Sequence, residues 1–177
     1  MDYAHNHRLP GVDLVIDQQK AYDLVYPTYL RFVLLHVGLP TPLVLSLCDY
    51  FFSTSISVMV NGFLSAPAQQ GCGLRQGDPI SPVLFNLAFD PPLRIILNDF
   101  QFHGFSLSPS LDFFCTVTST TINALAYTDD VLFFLTDPND FHRLQEGLLA
   151  PYGHVSNAKV NYHKTEVISL SGASQPE

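Results

Sequence analysis

Two adjacent aspartates, Asp129 and Asp130, stand between the apolar runs Ala124-Leu125-Ala126-Tyr127 and Val131-Leu132-Phe133-Phe134-Leu135. Aspartate is poor inside strands and good in turns, so the pattern predicts a strand, a tight turn and a second strand, with both carboxylates at the tip. Two like charges held together cost energy in water and more beside an apolar sheet. A divalent cation removes that cost, and the pair therefore asks for a metal. An arbitrary Asp-Asp dipeptide is more often a solvated turn. Tyr127 just before this one and the long apolar run after it shift the balance toward a ligand site.

A further carboxylate, Asp17, ends the short apolar strand Val12-Asp13-Leu14-Val15-Ile16 and is followed by Gln18-Gln19-Lys20-Ala21-Tyr22-Asp23. Asp23 precedes a predicted helix and is given the ordinary role of a cap. Asp17 lies beside a strand, not a helix start, so a ligand role fits it better. The stretch Gly73-Leu74-Arg75-Gln76-Gly77-Asp78-Pro79-Ile80-Ser81-Pro82 lacks periodicity. Its glycines allow close backbone approach to a partner, and Arg75 and Gln76 offer donors to phosphate or base. The plain alternative is a surface loop capped by Ser81.

The elements that must position these residues follow from local signals. Pro27 is placed as the first residue of a helix that Gly38 closes, and a second helix spans about Thr41 to Phe52. Ser55–Val60 alternates, and Asn61-Gly62 marks a hairpin. A helix starts near Ser81, and Pro91-Pro92 is expected to kink or restart it. Phe105–Thr121 reads as an irregular connector. The aspartate hairpin comes next, then a helix from about Asn139 to Tyr152, then short strands around Lys159–Asn161 and Glu166–Leu170. This order predicts an α+β fold, an antiparallel sheet with helices packed on one face.

A chain of 177 residues is one domain's worth and buries roughly 70% of its unfolded surface if well packed. Only 14% of residues are charged against 47% hydrophobic, more apolar surface than one domain needs, so some of it is expected to meet neighbours. The formal net charge of −8 opposes binding nucleic acid unaided. Cys48, Cys72 and Cys115 are odd in number and lack ligand spacing, so they read as free thiols of a reducing compartment. His5-Asn6-His7 reads as a solvated pair, and Phe113-Phe114 with Phe133-Phe134 as core. The apolar stretch Phe32–Phe52 is interrupted by His36, Gly38, Pro40, Pro42 and Asp49. Buried helices, not a membrane span, are expected there, in an intracellular protein of the nucleus or cytoplasm.

Taken in order, Asp17–Asp23, then Gly73–Pro82 leading into Phe85-Asn86, then Tyr127-Thr128-Asp129-Asp130 resemble motifs A, B and C of reverse transcriptases. The flavour is that of LINE-type (non-LTR) retrotransposons; group II intron-type enzymes share these motifs. Ser156-Asn157-Ala158-Lys159-Val160-Asn161 with Lys164-Thr165-Glu166 is similar to the motif that follows them. The match is collinear from about Gly11 to Gly172. The resemblance implies one partial reverse transcriptase domain over residues 1–177, a polymerase palm with its core at about 11–172 and a tail at 173–177. It implies that Asp17, Asp129 and Asp130 bind two Mg²⁺ ions, with Mn²⁺ as a substitute. Such ions stand roughly 3.5–4 Å apart and stabilise the attacking and leaving oxygens of phosphoryl transfer. Tyr22 matches the steric gate that favours dNTPs, and Gln76 and Gly77 match the loop near the incoming nucleotide and template. Lys164 matches the lysine that donates a proton to pyrophosphate, with Lys159 as competitor. The implied partners are an RNA template, a DNA primer and dNTPs. Fingers and thumb segments are expected to be largely missing, and isolated polymerase activity with them. The other class left open is a non-catalytic remnant or binding module that keeps only the fold. Cys72, Thr128 and Pro92 depart from the residues usual at their places.

Overall fold

Alternation in Val12-Asp13-Leu14-Val15-Ile16 produces the strand around which the sheet is built. The structure is a computed structural model that describes residues 11–107 and 120–171. Strand β1 (Val12–Ile16) lies between β9 (Asp130–Leu135) and β10 (Glu166–Ser169), and β8 (Ala124–Tyr127) completes the order β10-β1-β9-β8. Every neighbouring pair is antiparallel, with Leu14 opposite Phe133 and Val167, and Ala126 opposite Val131. Leu14, Ile16, Val131 and Phe133 are buried. On the opposite face Phe134 packs with Phe105 and Leu170.

The chain divides into two compact units, each described by itself. Of the described residues, the first holds 11–19, 92–107, 120–151 and 160–171; the second holds 20–91 and 152–159. The first contains the four-stranded sheet and a ladder of β6 (Phe105–Leu107) with β7 (Thr120–Ile122). The expected connector at 105–121 is thus strand at both ends, because β-branched Thr120, Thr121 and Ile122 supply a pairing partner; residues 108–119 lie outside the described residues. Here too Asp140, fully buried, accepts backbone N–H bonds from His103 at 2.9 Å, Thr136 at 3.1 Å and Asp137 at 3.3 Å. It forms a capping box with Asp137 at the start of α4 (Pro138–His142). Helical backbone continues through a π-helical stretch, Arg143–Leu149, into α5 (Ala150–Ser156), four residues past the expected end at Tyr152.

In the second unit α1 (Pro27–His36) begins at proline as expected. It ends where Gly38, at φ +88°, lets its own N–H and that of Leu39 bond back to the Leu35 and Leu34 carbonyls. Asp23 does not cap it: the capping position is Tyr26, without a side-chain bond, because the chain makes a separate turn at Lys20–Leu24 first. Helix α2 (Thr41–Phe52) matches its predicted bounds. Strand β2 (Ser55–Ile56) pairs with β5 (Ala68–Gln69), and β3 (Met59–Val60) with β4 (Phe63–Leu64). Asn61 at φ +51° and Gly62 at φ +84° make the predicted turn between the last two. Met59, Val60, Phe63 and Leu64 are all exposed on that hairpin.

Helix α3 (Ser81–Leu97) runs without a break through Pro91 and Pro92, contrary to the expected restart. Proline at 92 has no N–H to give the carbonyl four residues back, at Ala88. Tyr29 Oη supplies the missing donor, 2.8 Å from the Ala88 oxygen. Burial pushes the Tyr29 phenol well above its usual range, so it remains a donor. Tyr29→Phe is expected to cost about 1–2 kcal/mol in urea unfolding, because it orphans a buried carbonyl. In a Pro92→Ala background, where the N–H is restored, the cost should fall below about 0.5 kcal/mol.

Candidate active site

Strand pairing brings the acidic residues together. The last aligned pair of β1 and β9 is Ile16 with Val131, and Asp17 and Asp130 are the next residues beyond it on the two chains. Asp130 is itself paired with Tyr127, which leaves Thr128 and Asp129 as the two-residue turn. Asp129 is therefore the tip residue, whereas Asp130 opens β9. All three carboxylates gather at one end of the sheet of the first unit.

That turn is built with strain. Thr128 has φ +55°, a conformation in which a β-branched residue is crowded. Its hydroxyl offsets part of the cost by donating to the Tyr127 carbonyl at 2.7 Å or Asp129 Oδ1 at 2.9 Å. Asp17 is held from a third segment. Asn161 donates its backbone N–H to Asp17 O and its side-chain Nδ2 to Asp17 Oδ2, each at 2.9 Å. Adjacent to it Val160 bridges to Gln18, which is all that remains of the strand expected at 159–161. Lys164 and Lys159 are exposed, and the Lys164 N–H bonds to the Asn161 carbonyl at 3.0 Å.

The donor set is carboxylate oxygen alone, which suits a small hard cation. Among the described residues no three His, Cys, Asp or Glu side chains are grouped so that they could hold a metal ion. Asp13 is an acidic group on the same face that the sequence reading did not single out. It is buried on β1, four positions from Asp17, with Oδ1 lacking a partner among the described residues. Burial pushes its carboxyl pKa up. The signal was present as a lone charge inside Val12–Ile16, but its burial depends on having strands on both sides.

The glycine-rich loop belongs to the second unit. Its first half is rooted: Gly73 N donates to Val25 O at 2.9 Å and Leu74 N to Tyr22 O at 2.7 Å, and Leu74 is buried. The Arg75 guanidinium lies 4.4 Å from the Tyr50 ring centroid and 5.3 Å from that of Phe51. It also donates to the Tyr50 carbonyl and to Thr54 Oγ1. Tyr50 Oη in turn donates to Asp78 Oδ2 at 3.0 Å. Arg75 is thus clamped on the C-terminal turn of α2, while Gln76 and Gly77 beyond it are exposed. Ser81 does not cap α3; its hydroxyl is buried without a partner among the described residues, and Asp78 Oδ1 takes the Ile80 N–H at 3.1 Å instead. Tyr22 is half-buried with its ring stacked on Phe85, centroids 4.7 Å apart.

A sheet hairpin carrying two aspartates thus lies at the same sheet end as a strand-terminal third, on an antiparallel sheet with helices. Residues 2–175 match the family Reverse transcriptase (RNA-dependent DNA polymerase), and the chain belongs to that family, as the reverse transcriptase domain of a non-LTR retrotransposon. It is 30% identical over 167 residues to the Transposon TX1 uncharacterized 149 kDa protein of Xenopus laevis, covering 93% of this chain and 12% of that protein. It is 27% identical over 170 residues to the Retrovirus-related Pol polyprotein from type-2 retrotransposable element R2DM of Drosophila melanogaster, covering 96% and 15%. The chain thus spans under a fifth of the length of these relatives. Its fold is similar to telomerase from Candida albicans in complex with a fragment of telomeric RNA, with a TM-score of 0.66 and 15% identity, over 98% of this chain and 30% of that one. Telomerase from Candida tropicalis gives 0.65 and 12%, over 95% and 27%. Among the described residues no helix is long and apolar enough to cross a membrane.

The two halves of the loop should respond differently to one added methyl. A Cβ at Gly73 would lie 2.6 Å from the Asp23 carbonyl oxygen, at φ +89°, so Gly73→Ala is expected to cost more than about 2 kcal/mol in denaturant unfolding. Gly77, at φ +86°, has open space around it, and Gly77→Ala should cost only about 1 kcal/mol.

Proposed function

We propose that this chain forms the palm of an RNA-directed DNA polymerase from a LINE-type retrotransposon, its core at about residues 11–172, which extends a DNA primer with dNTPs on an RNA template. The observation that carries this reading is the register of β1 on β9, whose last pair, Ile16 with Val131, is followed on the two strands by Asp17 and Asp130, with Asp129 in the adjoining turn. Asp17, Asp129 and Asp130 would hold two Mg²⁺ ions, for which Mn²⁺ is a substitute. Once bound, the ions would neutralise charge on the triphosphate and on the oxygens that attack and leave.

The chain's own groups do the rest. The three carboxylates give the sheet end its affinity for cations. Lys164, or its competitor Lys159, gives a proton to the departing pyrophosphate oxygen. The Tyr22 ring, held by Phe85, is the fixed bulk that excludes a 2′-hydroxyl. Gln76 and Gly77 meet nucleotide and template, and Arg75 supports them from its place on Tyr50 and Phe51. The same reading carries the proposal of an intracellular protein of the nucleus or cytoplasm. A second reading, a module that keeps the fold without catalysis, is favoured by the net charge of −8, which repels a polyanionic template.

The test is a chimera in which residues 11–171 replace the matching region of the Drosophila relative. Primer extension on RNA with dNTPs and Mg²⁺ is expected, and Asp129→Ala should reduce it on the order of a thousandfold. A folded chimera that is inactive with all three aspartates in place would favour the second reading. In the active chimera, Tyr22→Ala is expected to raise rNTP use relative to dNTP by about tenfold or more, measured by single-nucleotide incorporation. Unchanged sugar discrimination would remove Tyr22 from the 2′ position.

A further inference from the structure

We infer that Asn161 is a positioning residue for the carboxylate site: its side-chain amide fixes Asp17 for cation binding and ties it to the turn that carries Lys164. The inference rests on the reading of Asp17 as a metal ligand. Three hydrogen-bonding groups of this one residue are engaged at once. Its backbone N–H and its Nδ2 both reach Asp17, each at 2.9 Å. Its carbonyl accepts from Lys164 N, Thr165 N and Thr165 Oγ1, all at 3.0 Å. With main-chain groups held on both sides and Val160 bridged to Gln18, the side chain has little freedom to leave the carboxylate.

The chemistry explains why an asparagine serves here. An ionised carboxylate only accepts hydrogen bonds, so the amide end that faces it must be the nitrogen. One such bond, to Oδ2, leaves Oδ1 and a further lone pair free for a cation. The amide brings no charge. A lysine here would compete with the metal, and an aspartate would add a fourth negative group to three that already repel one another. Hydrogen-bonded partners behind a ligand orient it and contribute about 10–100-fold in metal affinity. The Lys164 turn hangs on the carbonyl of the same residue, so acid and lysine share one anchor.

The experiment uses the 177-residue chain and Mn²⁺ as the probe, with free Mn²⁺ followed by electron paramagnetic resonance. Asn161→Ala is expected to weaken Mn²⁺ binding about tenfold or more. Asn161→Leu keeps the side-chain volume without the amide and should show the same loss; thermal melting identifies any variant that has failed to fold. The deciding readout is a thermodynamic cycle with Asp17→Asn. If Asn161 acts through Asp17, the loss caused by removing its amide shrinks below about twofold in the Asp17→Asn background. An equal loss in both backgrounds, or folded Asn161 variants with unchanged affinity while Asp17→Asn weakens binding, would overturn the inference alone. Mn²⁺ affinity that is absent, or indifferent to Asp17→Asn, Asp129→Ala and Asp130→Ala, would overturn the carboxylate-site reading and this inference with it.

Discussion

The antiparallel register between β1 and β9 is the constraint on which the remaining arrangement depends. Strand side chains alternate between faces, so a slip of one residue would carry Asp17 to the other face and expose Leu14 and Ile16. Those two residues are buried with Val131 and Phe133. Each such side chain contributes about 1.5–3 kcal/mol on burial, so the apolar residues hold a register that the acidic residues by themselves would resist. The sheet core thus supports the gathering of like charges at its end. The strained turn at Thr128 and the hydrogen bonds to Asp17 are local adjustments within that frame.

The glycine-rich segment shows a similar division between support and exposure. Up to Arg75 it is fixed by backbone bonds to Tyr22 and Val25, by the fit of Gly73 against Asp23, and by a guanidinium stacked on aromatic rings. From Gln76 to Gly77 it is open to solvent. A loop with a rigid root and a free apex presents polar groups at a defined place while leaving them accessible.

Features set by adjacent residues were legible in the sequence. Pro27 and Gly38 bound α1, Asn61-Gly62 makes its turn, and the two aspartates sit where an apolar run reverses. The family resemblance drawn from Asp17, the Gly73–Pro82 segment and Asp129-Asp130 agrees with the family match over residues 2–175. What was not legible depends on partners far along the chain. Pro91-Pro92 looks like a helix breaker unless Tyr29 is known to meet the Ala88 carbonyl. Asp23 looks like a cap until the extra turn at Lys20 displaces the helix start. Asn161 is one polar residue among several, and only its bonds to Asp17 set it apart. The buried Asp13 belongs with these, since nothing within its own strand says that both neighbouring strands will be present.

The place of β1 in the sheet also bears on how the protein is made. It is the first strand of the described chain, yet one neighbour, β10, is the last and the other, β9, lies well past the middle. Contacts so distant in sequence close slowly, because the loop entropy is lost before the strands gain anything from pairing. On the ribosome, Val12–Ile16 emerges before β9 and β10 and remains without these partners until they have been made. An apolar strand with both edges free is a template for wrong pairing until those partners close on it.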